Sequence, residues 1–314
     1  MQKQVIGVGL AGFLAWGLCI AISCAAKPEG SGGVLAPNAK VEKVDGGFKF
    51  IEGPVWMSPG YLLFSDIPAN AIMQWKPGAK SKIWRQPSGH ANGNTLDTQG
   101  RLISCEHDRR VTRLEKSGKT TVLATKYEGS KLNSPNDVVV KSNGETYFTD
   151  PPYGIQPEQA ELSFSGVYRI DKSGKLTLLV KDFSRPNGIA FSPDEKLLYI
   201  NDTERMHIRV FAVKPDGTLG EGRVFAELKE PDKQGAPDGM KVDVKGNVYC
   251  TGPGGVWVFA PSGKLLAKIH TPEVPANCAF GDTDFKTLYM TSQTGLYRIR
   301  LQNAGIRPGV DKPR

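Results

Sequence analysis

Glu52-Gly53-Pro54-Val55-Trp56, Asn92-Gly93-Asn94-Thr95-Leu96 and Asn136-Asp137-Val138-Val139-Val140 are three versions of one phrase. Asn187-Gly188-Ile189-Ala190-Phe191, Asp238-Gly239-Met240-Lys241-Val242 and Asn277-Cys278-Ala279-Phe280 are three more. Each opens on Glu, Asn or Asp and runs into a short apolar segment of strand length. The opening residues are separated by 40, 44, 51, 51 and 39 positions. A period in that range means that one supersecondary unit has been copied along the chain.

Working outward, a second register follows each phrase: Leu62-Leu63-Phe64-Ser65-Asp66, Leu102-Ile103-Ser104-Cys105-Glu106, Thr146-Tyr147-Phe148-Thr149-Asp150 and Leu198-Tyr199-Ile200-Asn201-Asp202. Val248-Tyr249-Cys250-Thr251 and Leu288-Tyr289-Met290-Thr291-Ser292 complete it. These runs are β-branched and aromatic. A third strand is expected over 71–75, 110–114, 166–170, 208–213, 256–260 and 295–299. Turns such as Asp171-Lys172-Ser173-Gly174 lead to a fourth. Four strands per unit and six units predict an all-β, six-bladed β-propeller with four-stranded blades. A two-sheet sandwich would not need six equivalent phrases.

The chain has 314 residues and a formal net charge of +8, with 36 Gly and 22 Pro. Its Lys and Arg are scattered rather than clustered with aromatics, which argues against nucleic-acid binding. Lys3 precedes an apolar stretch over residues 5–22 and then Ser23-Cys24-Ala25-Ala26, the pattern of a secretory signal. Ala21-Ile22-Ser23-Cys24 also resembles a lipoprotein cleavage box, which would place a lipid on Cys24; an uncleaved anchor is the other alternative. The expected organisation is a signal over residues 1–24, a flexible tether over 25–44, the propeller over 45–303 and a tail over 304–314. Export to a bacterial periplasm or cell envelope follows, with membrane contact only through the signal or a lipid. Beyond the signal only Cys105, Cys250 and Cys278 remain, in no zinc-type spacing. Cys105 and Cys250 fall in blades two and five, on opposite sides of the ring, too far apart for a disulfide.

In a propeller the first strand of every blade lines the central channel. Glu52, Asn92, Asn136, Asn187, Asp238 and Asn277 should therefore form a ring. Asn, Asp and Gly also favour turns, but Glu is not a turn former. Two carboxylates and four amides make an oxygen-only donor set that suits a hard cation. The expectation is one divalent cation, calcium first, with Mg2+, Mn2+ or Zn2+ as alternatives. Asp66, Glu106, Asp150 and Asp202 should lie near the same face, with His107 beside Glu106; Asp150 and Asp202 either join the site or hold loops by accepting backbone amides.

Phe50-Ile51-Glu52-Gly53-Pro54-Val55-Trp56, Ser134-Pro135-Asn136-Asp137-Val138, Tyr147-Phe148-Thr149-Asp150-Pro151, Arg185-Pro186-Asn187-Gly188 and Pro237-Asp238-Gly239 together resemble the SMP-30/gluconolactonase/LRE-like family over roughly residues 45 to 300. Cys105-Glu106-His107 is similar to its bacterial gluconolactonase branch. The resemblance implies a metal held by Glu52, Asn187 and Asp238, with Asn136 as a further ligand or substrate contact, and Asp238 as general base. Regucalcin-like members carry an Arg two residues before the position of Asn136. Here that residue is Ser134, which puts the identity of the lactone in question.

The expected function is metal-dependent hydrolysis of a sugar-type lactone, with Asp238 deprotonating water and Asn92, Asn136 and His107 orienting sugar hydroxyls. Alternatives are a non-catalytic, calcium-dependent propeller that binds a sugar acid or other ligand, and an interaction propeller with a structural metal. No Gly-x-Ser-x-Gly elbow and no phosphate-binding loop occurs.

Overall fold

The structure, a computed structural model, describes residues 33–309. The expected signal, the lipidation site at Cys24 and residues 310–314 lie outside the described residues. Twenty-four of its strands form six four-stranded antiparallel sheets. The first sheet runs Ile51–Met57, Tyr61–Asp66, Ala71–Trp75 and Lys82–Arg85, and the second Ala91–Leu96, Leu102–Glu106, Arg110–Leu114 and Thr120–Ala124. The inner strands of the other four are Val138–Val140, Pro186–Phe191, Met240–Val242 and Asn277–Gly281. Each inner strand lies beside the inner strands before and after it, and the last returns to the first. The molecule is a six-bladed β-propeller, as the repeat predicts.

What holds the blades together is visible in the core. The buried apolar side chains fall into six clusters, and each cluster spans two adjacent blades. Tyr147, Tyr199, Tyr249 and Tyr289, from the second strands, are almost fully buried in these seams. Trp56 of blade one stacks on Tyr289 of blade six at 5.4 Å between ring centroids. Burying such a side chain is worth roughly 1.5–3 kcal/mol, so the sequential packing of blades supplies a continuous apolar belt around the axis.

The domain boundaries differ from the sequence expectation. Blade six takes three strands from the C-terminal end of the chain and its fourth, Glu42–Gly46, from the N-terminal end. Val34 and Leu35 are buried, and Leu35 bridges Leu301. The described part of 25–44 is therefore built into the propeller rather than a tether. The physical reason is closure. Without Glu42–Gly46 the strand Gly295–Arg300 would be an open edge, and the ring would have a free seam. At the other end, Gly305 bridges Asp243 and the amide of Ile306 donates to the Val242 carbonyl, so residues 304–306 also pack on the body.

Cys105, Cys250 and Cys278 are free and buried. That agrees with the placement of Cys105 and Cys250 in blades two and five.

Candidate active site

The six opening residues meet at one end of the channel. Glu52, Asn92, Asn136, Asn187 and Asn277 are each at most 5% exposed, while Asp238 as a whole residue is half-buried. The Asn92 amide donates to Asn136 Oδ1 at 2.6 Å, and the Asn136 amide donates to Asn187 Oδ1 at 2.6 Å. Asn277 donates to Glu52 Oε2 at 2.9 Å, which also accepts the Gly53 N–H at 2.7 Å. Asp238 lies against Asn187 and the Glu52 carboxyl.

The residue after each ring position explains how six side chains reach one axis. It is Gly in four phrases. A Cβ on Gly53 would lie 1.9 Å from the Asn92 carbonyl oxygen, and one on Gly188 2.2 Å from that of Asp238. Only the missing side chain lets neighbouring inner strands approach this closely. Blade three carries Asp137 instead, a residue that sequence reasoning passed over. It is 1% exposed, and Lys241 Nζ stands 3.9 Å from its Oδ2, which has no hydrogen-bond partner. The available signal was an acid at a position that is Gly in four of the other five phrases.

Charge is concentrated here. Burial, then the Glu52 and Asp137 charges, push the Asp238 carboxyl well above its ordinary pKa. Burial raises Glu52 as well, against the hydrogen bonds from Asn277 and Gly53. Two adjacent carboxylates that suppress each other's ionisation, ringed by amide oxygens, form an environment in which a divalent cation is well matched. Among the described residues no cluster of three or more His, Cys, Asp and Glu side chains is arranged for a metal; the donors would be Glu52 and Asp238 with Asn136 and Asn187.

His107 also reaches the ring. Its Nε2 lies 3.1 Å from Asn92 Nδ2. An amide nitrogen only donates, so Nε2 accepts and the imidazole proton sits on Nδ1. Burial first, then His90, lowers the His107 pKa from 6.5 to about 4. A His that folds neutral costs nothing above pH 6.5. It destabilises increasingly as pH falls from 6.5 toward 4, because the unfolded chain takes up a proton that the fold refuses. That loss should reach up to about 3 kcal/mol. Urea unfolding across this range should therefore show a shallower acid loss for His107→Gln than for the parent protein. Parallel profiles would rule out a buried neutral imidazole.

The acids of the second register hold loops. Asp66 accepts the Lys49 and Phe50 amides at 3.1 and 3.3 Å, Asp150 the Asn133 amide at 2.8 Å, and Asp202 the Ser184 and Arg185 amides at 2.8 and 3.2 Å. In each case the clamped backbone leads into that blade's own inner strand. Glu106 instead accepts Thr112 Oγ1 at 2.7 Å and pairs with Arg110.

A model of the SMP-30/gluconolactonase/LRE-like region matches residues 50–294. The chain belongs to the SMP-30/gluconolactonase/LRE-like family. A gluconolactonase of Zymomonas mobilis is 32% identical over 300 residues, covering 87% of this chain and 84% of that one. The structure of a gluconolactonase from Xanthomonas campestris superposes with a TM-score of 0.80 at 34% identity, covering 87% of this chain and 94% of that one. A calcium-binding regucalcin of Agrobacterium tumefaciens shares the fold, with a TM-score of 0.70 at 20% identity over 85% of this chain and 94% of that one.

One expectation drawn from the family resemblance changes in the structure. Ser134 does not stand in the channel in place of a substrate-binding Arg. It is fully buried, donating to the Pro151 carbonyl at 2.8 Å and accepting the Gly154 amide at 2.7 Å. An Arg at 134 would have to displace this packed peg, so Ser134→Arg is expected to lower stability, a loss that thermal unfolding would show. The other end of the channel holds a cavity of about 480 Å3 lined by Val138, Ile189, Val242 and Phe280, with residues 306–309 against it. It contains none of the ring residues, which lie at the opposite, loop end with the segments held by Asp66, Asp150 and Asp202.

Proposed function

We propose that the protein hydrolyses a sugar-type lactone at the loop end of its channel, as its gluconolactonase relatives are named for doing. The observation that carries this reading is the pairing of Glu52 and Asp238 with a ring of hydrogen-bonding amides in a chain of this family. Glu52, Asn187 and Asp238, with Asn136, would hold a divalent cation, calcium first. When bound, such an ion supplies charge to polarise the lactone carbonyl and to offset the two carboxylates.

With its charge offset, the Asp238 carboxylate accepts a proton from water as the water oxygen bonds to the carbonyl carbon. The ring C–O bond then breaks, and the alkoxide oxygen takes that proton back from Asp238, leaving a hydroxy acid and the free carboxylate of Asp238. After the ring's own hydrogen bonds, Asn92 keeps its Oδ1 acceptor, Asn136 one amide N–H and neutral His107 its Nδ1–H, a set complementary to sugar hydroxyls. Asp238 is half-buried where the other ring members are buried.

The test is turnover of a panel of sugar and plain alkyl lactones before and after exhaustive chelation. Chelation should lower turnover at least about tenfold, and Ca2+, Mg2+, Mn2+ or Zn2+ added singly should identify the ion that restores it. Unchanged turnover would remove the metal from the reading. Inactivity on every lactone with each ion present would remove the hydrolysis. Export through the N-terminal signal, with or without a lipid on Cys24, is part of the same proposal and is tested by fractionating cells that express the full chain.

A further inference from the structure

The segment Asp150-Pro151-Pro152-Tyr153-Gly154 leaves the second strand of blade three and crosses toward the ring. It is held from several sides. Two consecutive prolines restrict its backbone. Ser134 Oγ bridges its Pro151 carbonyl and Gly154 amide. Gly154 is pressed on His107, where an added Cβ would fall 2.6 Å from the imidazole's own Cβ. The Arg185 guanidinium stands 5.4 Å from the centre of the Tyr153 ring.

This anchoring fixes the Tyr153 hydroxyl in a specific place. The phenol oxygen is buried beside Thr203 and Asn187 and within the field of Asp238, yet it reaches hydrogen-bonding geometry with no protein group. The neighbouring Thr203 is already committed: its Oγ1 donates to the Pro237 carbonyl at 2.7 Å and accepts the Asn187 amide at 3.2 Å. A buried hydroxyl without a partner is unfavourable. The clamped loop thus holds an unpartnered O–H beside Asn187 and Asp238 of the ring. A tyrosine hydroxyl carries its proton at neutral pH, so the group is a donor.

We propose that Tyr153 donates a hydrogen bond to the ester group of the bound lactone, opposite the Asp238 carboxylate, and that Ser134 is a positioning residue for it. This rests on the lactonase reading above. Polar donors aimed where negative charge develops lower the barrier more than they tighten ground-state binding. The Ser134 hydroxyl then serves catalysis through the loop and not by touching substrate.

Tyr153→Phe removes one oxygen atom and keeps the ring over Arg185. Its kcat should fall on the order of 100-fold on both gluconolactone and unsubstituted δ-valerolactone, with KM changed little. Thermal unfolding should occur at the parent's temperature or above it, since an unpartnered hydroxyl is removed, and calorimetric titration with Ca2+ should match the parent protein. Ser134→Ala should show a smaller loss of kcat in the same direction, again on both lactones. A loss confined to KM for gluconolactone would overturn the proposal, because it would place Tyr153 on a sugar hydroxyl. Parent-like kcat in a folded Tyr153→Phe would overturn it outright, and so would a loss of kcat that tracks a fall in melting temperature or Ca2+ affinity. If the parent protein itself opens neither lactone, the lactonase reading fails first; with a parent active on both, the kcat of the variant reports on Tyr153 alone.

Discussion

Asp238→Asn should lower turnover by 10²–10⁴-fold, the range ascribed to a positioned general base, while leaving the propeller as stable as the parent or more so. The two halves of this expectation have one origin. Asp238 is the half-buried carboxylate of the ring, and an amide cannot take its role as proton acceptor. Its carboxyl is also pressed by burial and by the charges of Glu52 and Asp137, so a neutral isostere relieves repulsion in the ion-free protein. Because its pKa is raised in the fold, the carboxyl is most compatible with the native state at low pH and less so as pH rises. The stability gained by the variant should accordingly grow toward alkaline pH in chelator. Melting temperature and lactone turnover measured on one preparation check both halves. Near-normal turnover in the folded variant would move the base to His107, the other unprotonated acceptor at the ring. A fall in stability in chelator would show that the carboxylate is better compensated than its neighbours indicate.

The second large effect is structural. Gly188→Ala should destabilise the protein by about 3 kcal/mol or more, the upper range for overpacking a site that cannot yield. The added methyl would sit 2.2 Å from the Asp238 carbonyl oxygen and 2.9 Å from Met240 Cβ. One of those is backbone of the neighbouring inner strand, so the strand itself must move. Asp238 would move with it, and turnover should fall along with stability. Gly220→Ala is the control. Its Cβ would meet nothing closer than 3.6 Å, at Ala212, and ordinary surface behaviour, within about 0.5 kcal/mol, is expected. Urea denaturation of the two variants should separate them clearly. Equal midpoints would mean that the inner strands are not packed as tightly as the ring requires.

Much of this arrangement is legible in the linear chain because propeller symmetry turns sequence period into geometry. Six phrases at intervals of 39 to 51 residues specify six blades, and equivalence of position then brings Glu52, Asn92, Asn136, Asn187, Asp238 and Asn277 to one axis. The strands of the second and third registers fall where the alternation of apolar and β-branched residues puts them. What the period cannot reach is whatever breaks the repeat. The fourth strand of blade six comes from Glu42–Gly46, more than two hundred residues from its partner Gly295–Arg300, and no local pattern announces a contact between chain ends. Asp137 occupies a Gly position, and its burial beneath the ring follows from the close approach of strands in blades two and three.

Loops are the other place where one dimension is insufficient. Asp66, Asp150 and Asp202 sit at equivalent positions, and their type alone is compatible with a site or with a clamp; only the amides they meet, at Lys49, Asn133 and Ser184 among others, decide for the clamp. Ser134, read along the chain, is a missing guanidinium. In three dimensions it is a peg between Pro151 and Gly154. The sequence by itself thus determined the repeat, the blade number and which oxygen-bearing residues share the axis, because strand period and propeller symmetry are local rules applied six times. The tertiary structure alone decided how the ring closes, which acids hold loops and where the Tyr153 hydroxyl points, because those depend on which distant backbone groups fill each side chain's hydrogen-bonding capacity.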